Sequence, residues 1–174
     1  MTSRHFKQVA PYFEILLTRH GGEKIIRSLQ DSHIEFFVVG GTALAFHGIR
    51  PVTEVRDLDL LLDPLEPDLP KLKSALSSIG IDDFGDDRGT WSEPSSRHIS
   101  LKTMSYCCDL LTAPSADDFA DLVVDAERFP LNGTAVCIAG LRTLRVLLER
   151  AIAAGDSDAQ RLQDFEALKR MDQE

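Results

Sequence analysis

Arg56-Asp57-Leu58-Asp59-Leu60-Leu61-Leu62 is the stretch on which the reading of this chain turns. Residues 57–62 read as a strand, and side chains along a strand alternate between its two faces. Asp57 and Asp59 then share a face with Leu61, while Leu58, Leu60 and Leu62 point into a core. Two ionised carboxylates about 7 Å apart at their Cα atoms repel each other. Folding gains little from placing them on an otherwise apolar strand. A divalent cation between them turns the repulsion into binding. Hard ions such as Mg²⁺ prefer carboxylate oxygens and keep positions open for phosphate oxygens. An isolated Asp-x-Asp more often lines a solvated sheet edge, so the meaning of this pair depends on its surroundings.

Upstream, residues 34–39 read as a buried strand of β-branched and aromatic residues that ends sharply at Gly40-Gly41. A short helix is expected to begin at Thr42 and stop at Gly48. Glycines let a backbone approach a phosphate closely. A helix N-terminus offers free N–H groups and positive dipole character. Thr42 adds a hydroxyl that serves either a phosphate or the helix cap. Downstream, Asp109 interrupts Ser105-Tyr106-Cys107-Cys108-Asp109-Leu110-Leu111, an apolar run that otherwise reads as a buried strand. A charge there needs a partner, a metal or a cleft. If this strand neighbours residues 57–62, the three carboxylates converge. Two metal ions roughly 4 Å apart at such a site activate an attacking hydroxyl and steady a pyrophosphate leaving group. Asp109 is then placed to accept the hydroxyl proton.

Outward from this centre, residues 4–29 read as helical with a break at Gly21-Gly22, and residues 66–76 as an amphipathic helix. Residues 79–96 are rich in Asp, Gly, Ser and Pro and read as an irregular loop or hairpin. Residues 98–104 and 105–111 are expected as strands, 116–127 as a helix and 134–138 as a short strand. Residues 141–154 and 159–169 close the chain as helices divided by a turn at 155–157. This order predicts an α/β (α+β) fold, a small mixed sheet flanked by helices with a C-terminal helical tail. One domain is expected over residues 1–174, with a core at about 31–138, N-terminal helices at about 4–30 and C-terminal helices at about 141–172.

The 174 residues carry a formal net charge of −9, with 43% hydrophobic and 27% charged residues. That is ordinary globular usage and supports a sizeable core. The acidity argues against a broad nucleic-acid footprint, which needs a basic surface. Cys107, Cys108 and Cys137 form neither a disulfide framework nor a zinc spacing and read as reduced thiols. The segment Met1-Thr2-Ser3-Arg4-His5-Phe6-Lys7 has no apolar run after its charges, so no signal peptide is expected. No stretch approaches eighteen apolar residues, so no membrane span is expected, and the cytoplasm is the expected compartment. His47, at the end of the short helix after Thr42, reads as structural. Trp91, near Arg88 and Arg97, is a candidate for stacking on a base.

Taken together, Gly40-Gly41-Thr42-Ala43-Leu44-Ala45, His47-Gly48, Arg50, Thr53 and Asp57-Leu58-Asp59-Leu60 resemble the DNA polymerase β-type nucleotidyltransferase superfamily. Within it, the pattern is most similar to the minimal nucleotidyltransferases, a branch that includes abortive-infection-type toxins of toxin–antitoxin systems. The specific motifs span about residues 34–111, with a looser likeness through Gln163-Asp164-Phe165-Glu166-Ala167-Leu168. The resemblance implies that Asp57, Asp59 and Asp109 are catalytic and bind Mg²⁺ or Mn²⁺. It implies that Gly40, Gly41 and Thr42 hold the phosphates of a nucleoside triphosphate, ATP being the first candidate, and Arg56 is a further candidate phosphate contact. The implied reaction moves a nucleoside monophosphate to a hydroxyl on a tRNA end, a protein or a small molecule. A cognate toxin or antitoxin protein is an implied partner. The alternative is a catalytically weak or inactive binding or antitoxin module of the same fold.

Three departures accompany the resemblance. Fifteen residues separate Gly41 from Asp57, a longer interval than the family commonly shows. Arg50 and Thr53 are displaced accordingly. Where relatives carry a lysine in the penultimate helix and a Lys-Asp pair before the last one, this chain offers Glu149-Arg150 and Gln160-Arg161. An arginine is not equivalent to a lysine at a phosphate site.

Overall fold

The computed structural model describes residues 12–64, 69–82, 98–155 and 158–171. Trp91, Arg88 and Arg97, residues 83–96 of the irregular loop or hairpin expected at 79–96, and the start of the first helix lie outside them. Residues 12–18 form helix α1, which passes through a single 3₁₀ turn (Arg19–Gly21) into α2 (Gly22–Asp31). There follow β1 (Phe36–Val39), α3 (Gly40–Phe46), β2 (Leu58–Leu62), α4 (Leu69–Ser77), β3 (His98–Lys102), β4 (Cys107–Thr112) and α5 (Ala116–Val123). The chain continues through β5 (Glu127–Leu131), β6 (Thr134–Ile138), α6 (Leu141–Ala153) and α7 (Ala159–Met171).

The strands make one six-stranded mixed sheet in the order β3-β4-β2-β1-β6-β5. The fold is the mixed α/β arrangement that the alternation of elements predicts. β2 sits centrally, antiparallel to β1 and parallel to β4, and β3 closes the edge antiparallel to β4. Register partners share a face, so the sheet presents two contrasting surfaces. On one, Val38, Leu60, Leu110 and Ile99 line up across four strands, with Leu58, Cys108 and Leu101 in the next row. All seven are buried. Gly22 at the start of α2 lies against Leu58, and the Ser28 hydroxyl of α2 donates to the Ala75 carbonyl of α4. On the other surface, Val39, Asp59, Asp109 and Ser100 line up, followed by Phe37, Leu61, Leu111 and His98. Phe37 stacks on Phe119 of α5 with ring centroids 5.3 Å apart, and α6 covers Leu61 and Leu111.

The region after α5 departs from expectation. The helix predicted over 116–127 ends at Val123, and Glu127–Leu131 is the edge strand of a hairpin with β6. Asn132 (φ 45°) and Gly133 (φ 85°) make the tight turn, and both positions require left-handed backbone. Asn-Gly was the available signal in the sequence. Pro130 obscured it, because proline reads against a strand; it is accommodated here because β5 lies at the sheet edge. Ser115 caps α5 by accepting the Asp118 N–H at 3.1 Å. The helix after β1 begins at Gly40, two residues earlier than predicted.

Candidate active site

The β2–β4 pairing creates the site. Asp59 stands directly beside Asp109 on the parallel neighbour, on the surface that carries no packed leucine row at this level. Asp57 lies one residue before β2, where the chain enters the strand. The Thr42 hydroxyl fixes that entry by donating to the Asp57 carbonyl at 3.1 Å. Thr42 is fully buried and does not line the cleft, so its side chain faces the fold rather than the space available to a phosphate.

Gly40 and Gly41 form the roof. Gly40 has φ +59°, and a Cβ there would lie 2.0 Å from Asp59 Oδ2. The Gly41 N–H donates to the Asp59 carboxylate, and a Cβ on Gly41 would lie 2.6 Å from Arg50 Nη1. The glycine pair therefore lets a carboxylate and a guanidinium approach the same turn. Arg50 is anchored from below by Asp164 of α7, a residue only 2% exposed, which also accepts from Gln160 at 3.2 Å. Arg50 Nε has no hydrogen-bond partner and is buried.

These residues open onto a cleft of about 690 Å³, within the size range of small-molecule sites. It is lined by Gly40, Gly41, Asp57, Asp59 and Asp109, and by the three arginines Arg50, Arg56 and Arg161. Arg56 is exposed on the cleft wall. Behind Asp59 the space continues into an apolar cavity of about 230 Å³ between the sheet and α6, lined by Leu61, Leu111, Leu144 and Leu147. The cleft thus brings together Gly40, Gly41, Arg56 and the three aspartates, all anticipated from the sequence. It leaves out Thr42, and it adds Arg161.

Arg150 is elsewhere. Its guanidinium makes a bidentate pair with Asp118 of α5, at 2.8 and 2.6 Å, and it does not line the cleft. His47 is buried, with Nε2 2.8 Å from the Ala139 carbonyl, a structural role as the sequence suggested. All three cysteines are free; Cys108 is buried, and burial is the first cause of its raised thiol pKa.

Charge is crowded at the centre. Asp59 is pushed up to about 7, first by burial and then by the neighbouring charges of Asp57 and Asp109, with Gly41 and Arg50 opposing. Asp109 is 8% exposed, and its Oδ1 is buried without a hydrogen-bond partner. The sequence reading missed two neighbours on the edge strand β3. Asp109 pairs across from Ser100, so His98 and Lys102 flank it on the same surface. His98 Nε2 lies 3.4 Å from Asp109 Oδ1. Lys102 Nζ lies 3.4 Å from Asp109 Oδ2 and 3.5 Å from Asp57 Oδ2. The ammonium is raised from its ordinary pKa, chiefly by Asp109. The period-2 alternation His98-Ile99-Ser100-Leu101-Lys102 was the available signal, but it becomes informative only once β3 is paired with β4.

As a set, the donors suit a hard divalent ion: three carboxylates, one with a buried oxygen that makes no hydrogen bond and one whose charged form is disfavoured first by burial and then by its neighbours' charge. As they stand, however, no three His, Cys, Asp or Glu side chains among the described residues converge tightly enough to hold a metal. Lys102 occupies the gap between two of them. Among the described residues no helix is long and apolar enough to cross a membrane.

No protein-family model matches the chain, and no curated protein matches it. Among solved structures it is similar to an antigenic nucleotidyltransferase-like protein from Paracoccidioides brasiliensis. That likeness has 15% identity and a TM-score of 0.49, and it covers 98% of this chain and 78% of that one.

Proposed function

We propose that the chain is a metal-dependent nucleotidyltransferase that moves a nucleoside monophosphate from a nucleoside triphosphate to a hydroxyl acceptor. The observation that carries this reading is the in-register pairing of Asp59 with Asp109 on adjacent parallel strands, beneath the Gly40-Gly41 turn. Folding has no use for two facing carboxylates at the floor of a cleft, whereas phosphoryl transfer does.

Asp57, Asp59 and Asp109 would hold Mg²⁺ or Mn²⁺, which when bound supplies charge neutralisation at the phosphates and polarises the attacking hydroxyl. Arg50, Arg56 and Arg161 are the cations of a cleft wall that also carries Glu54 and Asp158, and they would meet a triphosphate there. Gly40 and Gly41 keep the roof free of side chains, and Asp164 keeps Arg50 aimed at it. Asp109, on the β3 side, accepts the acceptor's hydroxyl proton as its oxygen bonds to the α-phosphorus and pyrophosphate leaves. The apolar cavity behind Asp59 suits a flat, weakly polar group such as a nucleobase. The net charge of −9 favours a protein or small-molecule acceptor over an extended nucleic-acid surface, with a tRNA end as the compact nucleic-acid case.

A non-catalytic binding module, including an antitoxin-like role with a cognate toxin, is the second reading. The engagement of Arg150 by Asp118, away from the cleft, favours it. The two are separated by incubating the protein with Mg²⁺, each α-labelled nucleoside triphosphate in turn, and a mixture of tRNA or protein acceptors. Transfer of label that disappears in Asp109→Asn supports the enzyme. Nucleotide binding without transfer under any condition supports the module, and neither binding nor transfer refutes both.

A further inference from the structure

We infer that Lys102 is a resident cation of the carboxylate site, which a divalent metal must displace in order to bind. The inference rests on the metal-site reading above and deepens it. Its basis is geometric. The Lys102 ammonium spans Asp57 and Asp109 at 3.5 and 3.4 Å, reaching them from the edge strand β3 rather than from the cleft wall. It therefore contacts two of the three carboxylates that would hold a metal. Its side chain is 56% exposed, so it can swing into solvent without disturbing the core.

One further observation points the same way. Asp109 Oδ1 makes no hydrogen bond; His98 Nε2 lies 3.4 Å from it, while the ammonium sits on Oδ2. A lysine thus offsets the net charge but leaves unfilled coordination capacity at the site. Three donors on one flexible stem neutralise charge; they do not gather oxygens to metal–ligand distance as a small dication does.

The consequence is a site stable without metal yet biased against loosely held ions. In the free protein one positive charge competes with the incoming cation. Lys102 is a positioning residue: it acts through the carboxylates and sets how strongly metal must bind to enter.

The test is direct Mn²⁺ binding to the nucleotide-free full chain, by calorimetry or by the spin-resonance signal of free Mn²⁺. Wild type is compared with Lys102→Met, Lys102→Arg and Asp57→Asn. Removing an exposed charge that contacts two carboxylates is expected to tighten Mn²⁺ binding roughly five- to tenfold, and the gain should shrink at high salt. Lys102→Arg, which keeps the charge, should stay within about twofold of wild type. Without metal, Lys102→Met should melt below wild type, and saturating Mn²⁺ should remove that difference. A merely structural lysine would lower the melting point without changing metal affinity. Equal affinity in wild type and Lys102→Met, with Asp57→Asn weakened, overturns the role of Lys102 and leaves the metal site standing. Absence of Mn²⁺ binding in every variant overturns both.

Discussion

The two surfaces of the same sheet solve opposite problems with the same strands. Leu58, Leu60, Leu110 and Leu101 are interchangeable in kind: apolar, buried and packed under α2 and α4. On the reverse surface, at the same level, stand Asp59, Asp109, Lys102 and His98, whose charges oppose or barely balance one another. One residue of displacement along β2 separates a position that stabilises from a position that costs stability. The packed surface anchors the strands so firmly that the other can hold carboxylates in unfavourable proximity. The contrast makes a general point: on a strand of period 2, stability and chemistry can be placed on separate faces and altered separately.

That separation can be broken in graded ways. The largest effect is expected at Leu60, which is fully buried. Leu60→Ala should cost roughly 3 kcal/mol of unfolding free energy by denaturant titration, while the folded fraction keeps its metal affinity. Asp59→Asn should do the reverse, abolishing metal binding while holding or raising the stability of the metal-free protein at pH 8. A loss of stability in Asp59→Asn as large as that in Leu60→Ala would show that the two faces are not separable.

Gly40→Ala comes next. Its positive φ and the 2.0 Å approach to Asp59 Oδ2 combine strain with a clash, so a cost of roughly 1–3 kcal/mol is expected, together with weakened nucleotide binding. Gly41→Ala lacks the positive φ of Gly40 but meets the guanidinium that Asp164 anchors, so it should cost somewhat less stability for a comparable loss of binding. Equal stability losses at the two positions would argue that the roof is rigid throughout. Asp164→Asn should follow at about 1–2 kcal/mol, since it weakens the anchor of Arg50. Its larger signature should be a raised KM for nucleotide with little change in kcat.

The last effect is one of slope. Asp59 is raised from 3.8 to about 7, so between these values the folded state binds a proton that the unfolded state has released. The stabilising contribution of protonated Asp59 is complete below about pH 4 and is lost as pH rises through 7. Metal-free wild type should therefore lose more stability than Asp59→Asn across that window, measured by denaturation at each pH. Parallel profiles would remove Asp59 as the source of crowding.

Legibility followed the range of the interactions. The pair Asp57/Asp59, the glycine turn and the misplaced charge of Asp109 were readable because each is a local violation of pattern: a carboxylate on an apolar strand, or paired glycines at a strand end. The mixed sheet with flanking helices was readable from the alternation of periods. Lys102 and His98 were not, because β3 looks like any edge strand with an exposed polar face until its register against β4 is known. Arg50 was left without a firm role because the long interval before Asp57 displaces it from the family's spacing; the contact that fixes it, Asp164, lies 114 residues away. Thr42 was read as facing a ligand because a hydroxyl after a glycine turn looks the same whether it points outward or, as here, back to the Asp57 carbonyl. Strand β5 was hidden by Pro130, whose tolerance depends on being at an edge that only the assembled sheet defines.

The central claim is that Asp57 and Asp59 bind metal and nucleotide together. Its most direct test is the melting temperature of wild type and of the double variant Asp57→Asn/Asp59→Asn, each with Mn²⁺ or Mg²⁺, with ATP, and with both. A ligand bound only by the folded state raises the melting point by mass action. The account predicts a rise of several degrees in wild type with metal and ATP together, at ligand about a hundredfold above Kd, and no rise in the double variant. No rise in wild type with any nucleotide, or an equal rise in both proteins, would contradict it.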